Sequence, residues 1–265
     1  MTDIVRGLDV PGARLHYEVR GSGPVLAVIG NPMGADGFGR IVPLLTDDYT
    51  VITYDPRGIG RSTRDDDQEP TPELLADDVA RVIGAVTSEP VALFGSSGGA
   101  VTGLALVTRH PGVLHTIVAH EPPLMEFLDD GGQGLAGMDD VFATNLAHGP
   151  ALAMAKFFGL AGLQAGPGKM GPPPTPESLK QDDYFLRHMA PPTIRSKPDV
   201  DALLATGTRI VIAAGVKSKG QLAYRSAYAF AELLGSEVAE FPGDHTGFLF
   251  TAERFAETLH KVLSH

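Results

Sequence analysis

Short apolar runs alternate with amphipathic stretches over the first 120 residues of the chain. Arg14–Val19, Val25–Ile29, Val51–Tyr54, Val91–Phe94 and Leu114–Ala119 are β-rich and of strand length. Between them, Glu73–Val86 and Gly99–Thr108 carry apolar residues at helical spacing. Strands separated by helices predict a mostly parallel sheet covered on both faces. From about Pro122 to Ala205 the alternation stops. That segment is rich in Gly, Pro, Met and Ala, and only Asp139–Ala147 and Ala151–Leu160 read as helices. It resumes with a strand at Arg209–Ala213, a helix at Leu222–Leu234, a strand at Glu237–Phe241 and a closing helix at Ala252–Leu263. The pattern therefore predicts one α/β core, residues 1–121 and 206–265, around a helical insertion, residues 122–205, that lies over the sheet.

Composition narrows the chemistry. With 265 residues, 43% apolar and 20% charged, the chain can bury a full core. A net charge of -11 and the absence of any Lys/Arg run argue against nucleic acid or an anionic membrane as partners. Having no cysteine, the chain can form no disulfide, thiolate nucleophile or thiolate metal site. Its first residues lack the basic start and apolar run of a signal peptide, and no stretch of about 18 apolar residues could span a bilayer. A cytoplasmic monomer or homodimer is expected. Gly168-Lys169, in the proline-rich stretch Gly166–Pro176, looks like a fragment of a phosphate loop. Met170 follows the lysine, the earlier glycine would fall on Leu163, and three prolines stop any helix from starting there.

The most informative segment is Val91-Ala-Leu-Phe-Gly95-Ser96-Ser97-Gly98-Gly99, followed by a helical run of small residues. Gly-x-Ser-x-Gly is a weak pattern alone; a strand before it and a helix after it make it a sharp strand-to-helix turn that exposes Ser97 at the sheet's carboxyl edge. Ser96 fails on register, because Phe94 occupies the place of its leading glycine. The helix N-terminus behind Ser97 offers positive potential and the Gly98 N–H to a developing oxyanion. The competing reading is an ordinary glycine-rich helix start with a capping serine.

These flanks resemble the α/β-hydrolase superfamily, and the resemblance covers nearly the whole chain outside the insertion. It implies an α/β-hydrolase fold: a mostly parallel eight-stranded sheet, helices on both faces and a helical cap. Asp55-Pro-Arg57-Gly58-Ile-Gly60-Arg-Ser62 matches a family turn that is structural there. Ile29-Gly30-Asn31-Pro32-Met33-Gly34 stands where the family often has His-Gly and supplies a second oxyanion donor. Pro32 has no N–H, so Asn31 is the candidate. Glu240-Phe-Pro-Gly243-Asp-His245 follows the last strand as the family's catalytic histidine does, and among nine histidines His245 is the one on a Gly-rich loop at a strand end. A histidine on a surface loop is the alternative reading.

In most of the superfamily the orienting acid follows the strand placed here at Arg209–Ala213, but Ala214-Gly-Val-Lys-Ser-Lys-Gly-Gln221 contains no carboxylate. A serine nucleophile needs a histidine held in the correct tautomer. Leu114–Ala119 leads into His120-Glu121-Pro122-Pro123, which puts Glu121 at the same carboxyl edge as Ser97. This arrangement resembles the zearalenone-lactonase type of hydrolase, whose glutamate lies 24 residues beyond its serine, as Glu121 lies beyond Ser97. Asp244, Asp55 and a dyad without acid remain open, as does a plain salt-bridging role for Glu121.

The insertion holds Met125, Met138, Met154, Met170 and Met189, with Phe127, Phe142, Phe157, Phe158 and Phe185. Such a lid would roof Ser97 with adaptable apolar surface, with Met33, Met125, Met154 and Phe158 as candidate substrate contacts. Packing against the sheet is the competing reading of the same residues. Neither an aromatic cage nor a carboxylate-binding Arg pair is evident. The reading is a cofactor-free, metal-free serine hydrolase acting on a small apolar ester or lactone. A binder or receptor with weak turnover, or carbon–carbon hydrolase or perhydrolase chemistry on the same residues, stays open. A nicotinamide-dependent oxidoreductase is disfavoured, because Pro32 and Met33 interrupt its glycine turn. Epoxide hydrolases and haloalkane dehalogenases need an aspartate where Ser97 stands.

Overall fold

The computed structural model describes residues 4–65, 67–130, 132–162 and 173–264. Nine strands form one sheet: β1 (Ile4–Val10), β2 (Ala13–Gly21), β3 (Val25–Ile29), β4 (Thr50–Tyr54), β5 (Thr63–Arg64), β6 (Val91–Ser96), β7 (Leu114–His120), β8 (Arg209–Gly215) and β9 (Ala239–Phe241). The order is β1-β2-β4-β3-β6-β7-β8-β9, with β5 paired to β2. Along that path every pairing from β4 through β3 to β9 is parallel, whereas β1, β4 and β5 each pair antiparallel with β2. This is the α/β-hydrolase fold that the sequence predicts. The expected eight strands become nine through β5, a two-residue strand too short to leave a pattern. A strand that the apolar pattern does not show, β1, is mostly exposed and joins β2 through Pro11-Gly12, so it has no buried face to mark it.

Alternation along the central strands feeds two cores. Ala27, Ile29, Leu93, Ile117 and Ala119 point to one face, where α1 (Pro72–Gly84), α2 (Gly98–Arg109) and α8 (Leu222–Leu233) pack. Leu26, Val28, Phe94 and Val118 point to the other, against Phe38, Ile41 and the closing helix Ala252–Leu263. α1 starts at Pro72 rather than Glu73, because the Thr71 side chain accepts from Leu74 N–H and caps it there.

Between β7 and β8 the described residues form α3 (Gln133–His148), α4 (Pro150–Leu160), α5 (Pro176–Tyr184), a wider turn at Phe185–Met189, α6 (Ala190–Ile194) and α7 (Val200–Ala205), with no strand. α3 and α4 extend the two helices read from the sequence, and α5 to α7 go beyond it. Prolines at the start of α5 and α6 suit a first helical turn, where a missing N–H costs nothing. Val141, Ala153, Phe185 and Leu186 pack with Ile59 and Leu75 of the α/β core. The phosphate-loop look-alike at Gly168-Lys169 and Met170 lie outside the described residues. Among those described, no helix is long and apolar enough to cross a membrane.

Candidate active site

Strand order changes direction between β3 and β6: the chain runs from β3 outward to β4, then returns to place β6 on the other side of β3. A crevice opens at the carboxyl ends of strands at such a switch point. Asn31 follows β3 there and Ser97 follows β6. Ser97 has φ 57° and ψ −124°, and α2 begins at the next residue. Its N–H donates to His120 O at 2.9 Å, tying the turn to the end of β7. Among the described residues, the non-glycine positions with left-handed φ are Ser97 and Glu121, at 57° and 48°. Strain of this kind persists only where the surroundings enforce it. Two glycines make the turn possible: a Cβ on Gly95 would lie 2.7 Å from Gly99 O, and one on Gly99 would lie 2.5 Å from Ile29 O.

Glu121 is fully buried. Its N–H donates to Ala213 O at 2.8 Å, its Oε1 accepts from Gly215 N–H at 2.8 Å, and its Oε2 lies 2.6 Å from His245 Nδ1. The β8 exit, which has no carboxylate of its own, thus contributes a backbone donor that fixes one supplied by β7. Burial works against the charged carboxylate, but the His245 contact, the two neighbouring imidazoles and the Gly215 N–H outweigh it and hold Glu121 at about 2. A Cβ on Gly215 would meet Asp244 C and O at 2.8 Å, so glycine lets the histidine loop close over β8.

The alternative acids are engaged elsewhere. Asp244 Oδ1 accepts from Thr246 N–H and Oγ1 at 3.0 and 2.8 Å, shaping the loop that carries His245. Asp55 accepts from Ala35 N–H at 2.8 Å and Arg61 N–H at 2.9 Å within its own turn, where Ser62 Oγ also donates to Asp55 O. Beside Glu121, His120 is fully buried among Phe94, Phe241 and Phe255, with its ring centroid 6.3 Å from that of His245. Neither of its ring nitrogens has a protein partner among the described residues. Burial pushes its pKa down to about 4.

Ser97 and His245 line two adjoining chambers. The smaller, 40 Å³, lies under Met125, Met138 and Ile194; the larger, 350 Å³, is lined by Met33, Met154, Phe158 and Thr246 among others. All four sequence candidates for substrate contact therefore face a chamber. The Ser97 hydroxyl makes no hydrogen bond within the protein among the described residues, a gap that unliganded sites commonly show. The Asn31 and Gly98 N–H groups donate to no backbone acceptor there either. The two segments meet closely, since a Cβ on Gly98 would lie 2.8 Å from Asn31 O. The Asn31 side chain donates to Thr193 Oγ1 at 3.4 Å. Thr193, Asp182 and Gly215 are parts of this region that sequence reasoning missed: two lie in the insertion, where no motif marks them, and the third acts through its backbone.

A family model described as the alpha/beta hydrolase fold matches residues 23–161. A Bacillus subtilis protein named uncharacterized hydrolase YraK is 35% identical over 262 residues, covering 97% of this chain and 94% of its own length. Among solved structures, a thermophilic esterase from Thermogutta terrifontis superposes with a TM-score of 0.70 at 19% identity, over 100% of this chain and 98% of its own. A Pseudomonas aeruginosa protein provisionally named an epoxide hydrolase gives 0.68 at 20% identity, over 98% and 94%. Structural likeness at these identities speaks to fold.

Proposed function

Because the chain belongs to the α/β-hydrolase fold family, we propose that it is a cofactor-free serine hydrolase of carboxylic esters or lactones, with Ser97 as nucleophile, His245 as general base and Glu121 as the orienting acid. The observation that carries this reading is the buried 2.6 Å contact between Glu121 Oε2 and His245 Nδ1. With Nδ1–H donating to the ionised carboxylate, Nε2, the other ring nitrogen, accepts a proton. The Ser–Glu–His order is that of the zearalenone-lactonase type, which supports including lactones in the substrate class.

In this mechanism Ser97 Oγ bonds to the carbonyl carbon while its proton passes to His245 Nε2. The carbonyl oxygen becomes an oxyanion and accepts from the Gly98 and Asn31 N–H groups, aided by the N-terminus of α2. The bond to the leaving oxygen then breaks as His245 returns the proton to it. Water, deprotonated by His245, attacks the acyl-Ser97 ester; the bond to Ser97 Oγ breaks as His245 returns the proton to that oxygen, releasing the acid and restoring Ser97. Ionised Glu121 stabilises the imidazolium formed in both halves. The helices between β7 and β8 serve as a cap that shields the acyl-enzyme. Epoxide opening in this fold uses an aspartate nucleophile, which Ser97 replaces.

The reading is tested by labelling the protein with a fluorophosphonate and mapping the adduct by peptide mass spectrometry. One adduct per chain, on Ser97 and absent from Ser97→Ala, is expected. Stoichiometric labelling elsewhere would overturn it.

A further inference from the structure

The larger chamber contains one feature the mechanism does not use. Asp182, in the last turn of α5, lines it, and its carboxylate is half-buried. It makes no ion pair or hydrogen bond among the described residues, and burial alone pushes its pKa up. Among the described residues, no lysine or arginine lines either chamber. A carboxylate partly withdrawn from water without a partner is costly unless something in the chamber pairs with it.

The aromatic lining points the same way. Phe157, Phe158 and Phe185 face this chamber, with Phe157 and Phe185 at 5.4 Å and an interplanar angle of 79°. Aromatic rings beside a lone carboxylate make a site for an ammonium group. The side of Ser97 on which that group sits follows from proton delivery. His245 must protonate the leaving oxygen, and its loop neighbours Thr246 and Phe248 line only the larger chamber, so the leaving group lies there. The acyl group then falls to the smaller chamber, whose 40 Å³ suits a short apolar chain.

On the hydrolase reading above, the geometry points to an ester of a short acyl group with a leaving alcohol that carries an ammonium group, held by Asp182 as the specificity-determining residue. Carboxylate-bearing leaving groups are repelled from the same position.

The test compares acetylcholine with its neutral isostere, 3,3-dimethylbutyl acetate, for wild type, Asp182→Asn, Asp182→Glu and Ser97→Ala. For wild type, kcat/KM is expected to favour the cationic ester by about tenfold or more, one order of magnitude corresponding to a modest ion pair in a partly buried site. The preference should fall to near unity in Asp182→Asn, return in Asp182→Glu, and shrink at high salt. An equal preference in wild type and Asp182→Asn, with Ser97-dependent turnover of the neutral ester intact, overturns the Asp182 assignment alone. Turnover of neither ester, together with no fluorophosphonate adduct on Ser97, overturns the hydrolase reading and this inference with it.

Discussion

Glu121 Oε2 and His245 Nδ1 lie 2.6 Å apart although 124 residues separate them in sequence. The contact joins the end of β7 to the loop after β9 across β8, and its carboxylate is the one the β8 loop lacks. Glu121→Gln keeps the shape but removes the charge that fixes the tautomer, so kcat/KM should fall by about 10² to 10⁴-fold with the fold retained. Ester hydrolysis and circular dichroism check this together. The same change carries a pH signature. The Glu121 carboxyl is held below its ordinary 4.5, at about 2, so its ionised form contributes stability that is complete above pH 4.5 and is lost as pH falls toward 2. The stability difference between wild type and Glu121→Gln, measured by urea unfolding, should therefore shrink between pH 5 and pH 3.

His120 works in the opposite sense to a salt-bridged histidine. Burial lowers its pKa from 6.5 to about 4, so below pH 6.5 the unfolded chain takes up a proton that the folded state refuses. The resulting loss is roughly 1 kcal/mol per pH unit down to about pH 4. His120→Phe should flatten the decline of unfolding free energy between pH 6.5 and 4.5. An unchanged slope would show that the ring is not held neutral.

Arg57 donates to both Asp78 oxygens, from Nε and Nη2 at 2.8 Å each, and both residues are buried. Burial raises the Asp78 carboxyl, and Arg57 opposes that shift. Asp78→Ala would leave a guanidinium buried without its carboxylate, at a cost of about 3 to 5 kcal/mol. A urea midpoint close to that of wild type would contradict this.

Gly99 and Gly84 should respond oppositely to alanine. A Cβ at 99 meets Ile29 O at 2.5 Å and Gly30 Cα at 2.7 Å, so β3 and the Asn31 donor must shift, lowering both stability and kcat. Nothing lies within 4 Å of a Cβ at 84 near the end of α1, and alanine there should stabilise by about 0.5 to 1 kcal/mol. Thermal melts of the two variants check the contrast.

The central sheet is legible in the sequence because β3, β6 and β7 are buried on both faces, so apolar runs mark them without ambiguity. β1 is not, since its exposed side chains leave no alternation. Ser97 and His245 stand out through glycine-rich turns at strand ends. Glu121 is visible less directly, through the absence of acid after β8, its place at the end of β7 and its 24-residue spacing from Ser97. The partners that seat these residues leave fainter traces. Gly215 acts through its N–H, and Thr193 and Asp182 come from α6 and α5, helices whose proline-bounded first turns conceal them from a search for helical spacing.

The most direct test is hydrolysis of short and medium p-nitrophenyl esters and a macrocyclic lactone by wild type, Ser97→Ala, His245→Ala and Glu121→Ala, each verified as folded. Wild type is expected to turn over at least one of these substrates, and all three variants to lose at least about 10³-fold in kcat. Ser97→Ala as active as wild type would contradict the serine mechanism at its centre.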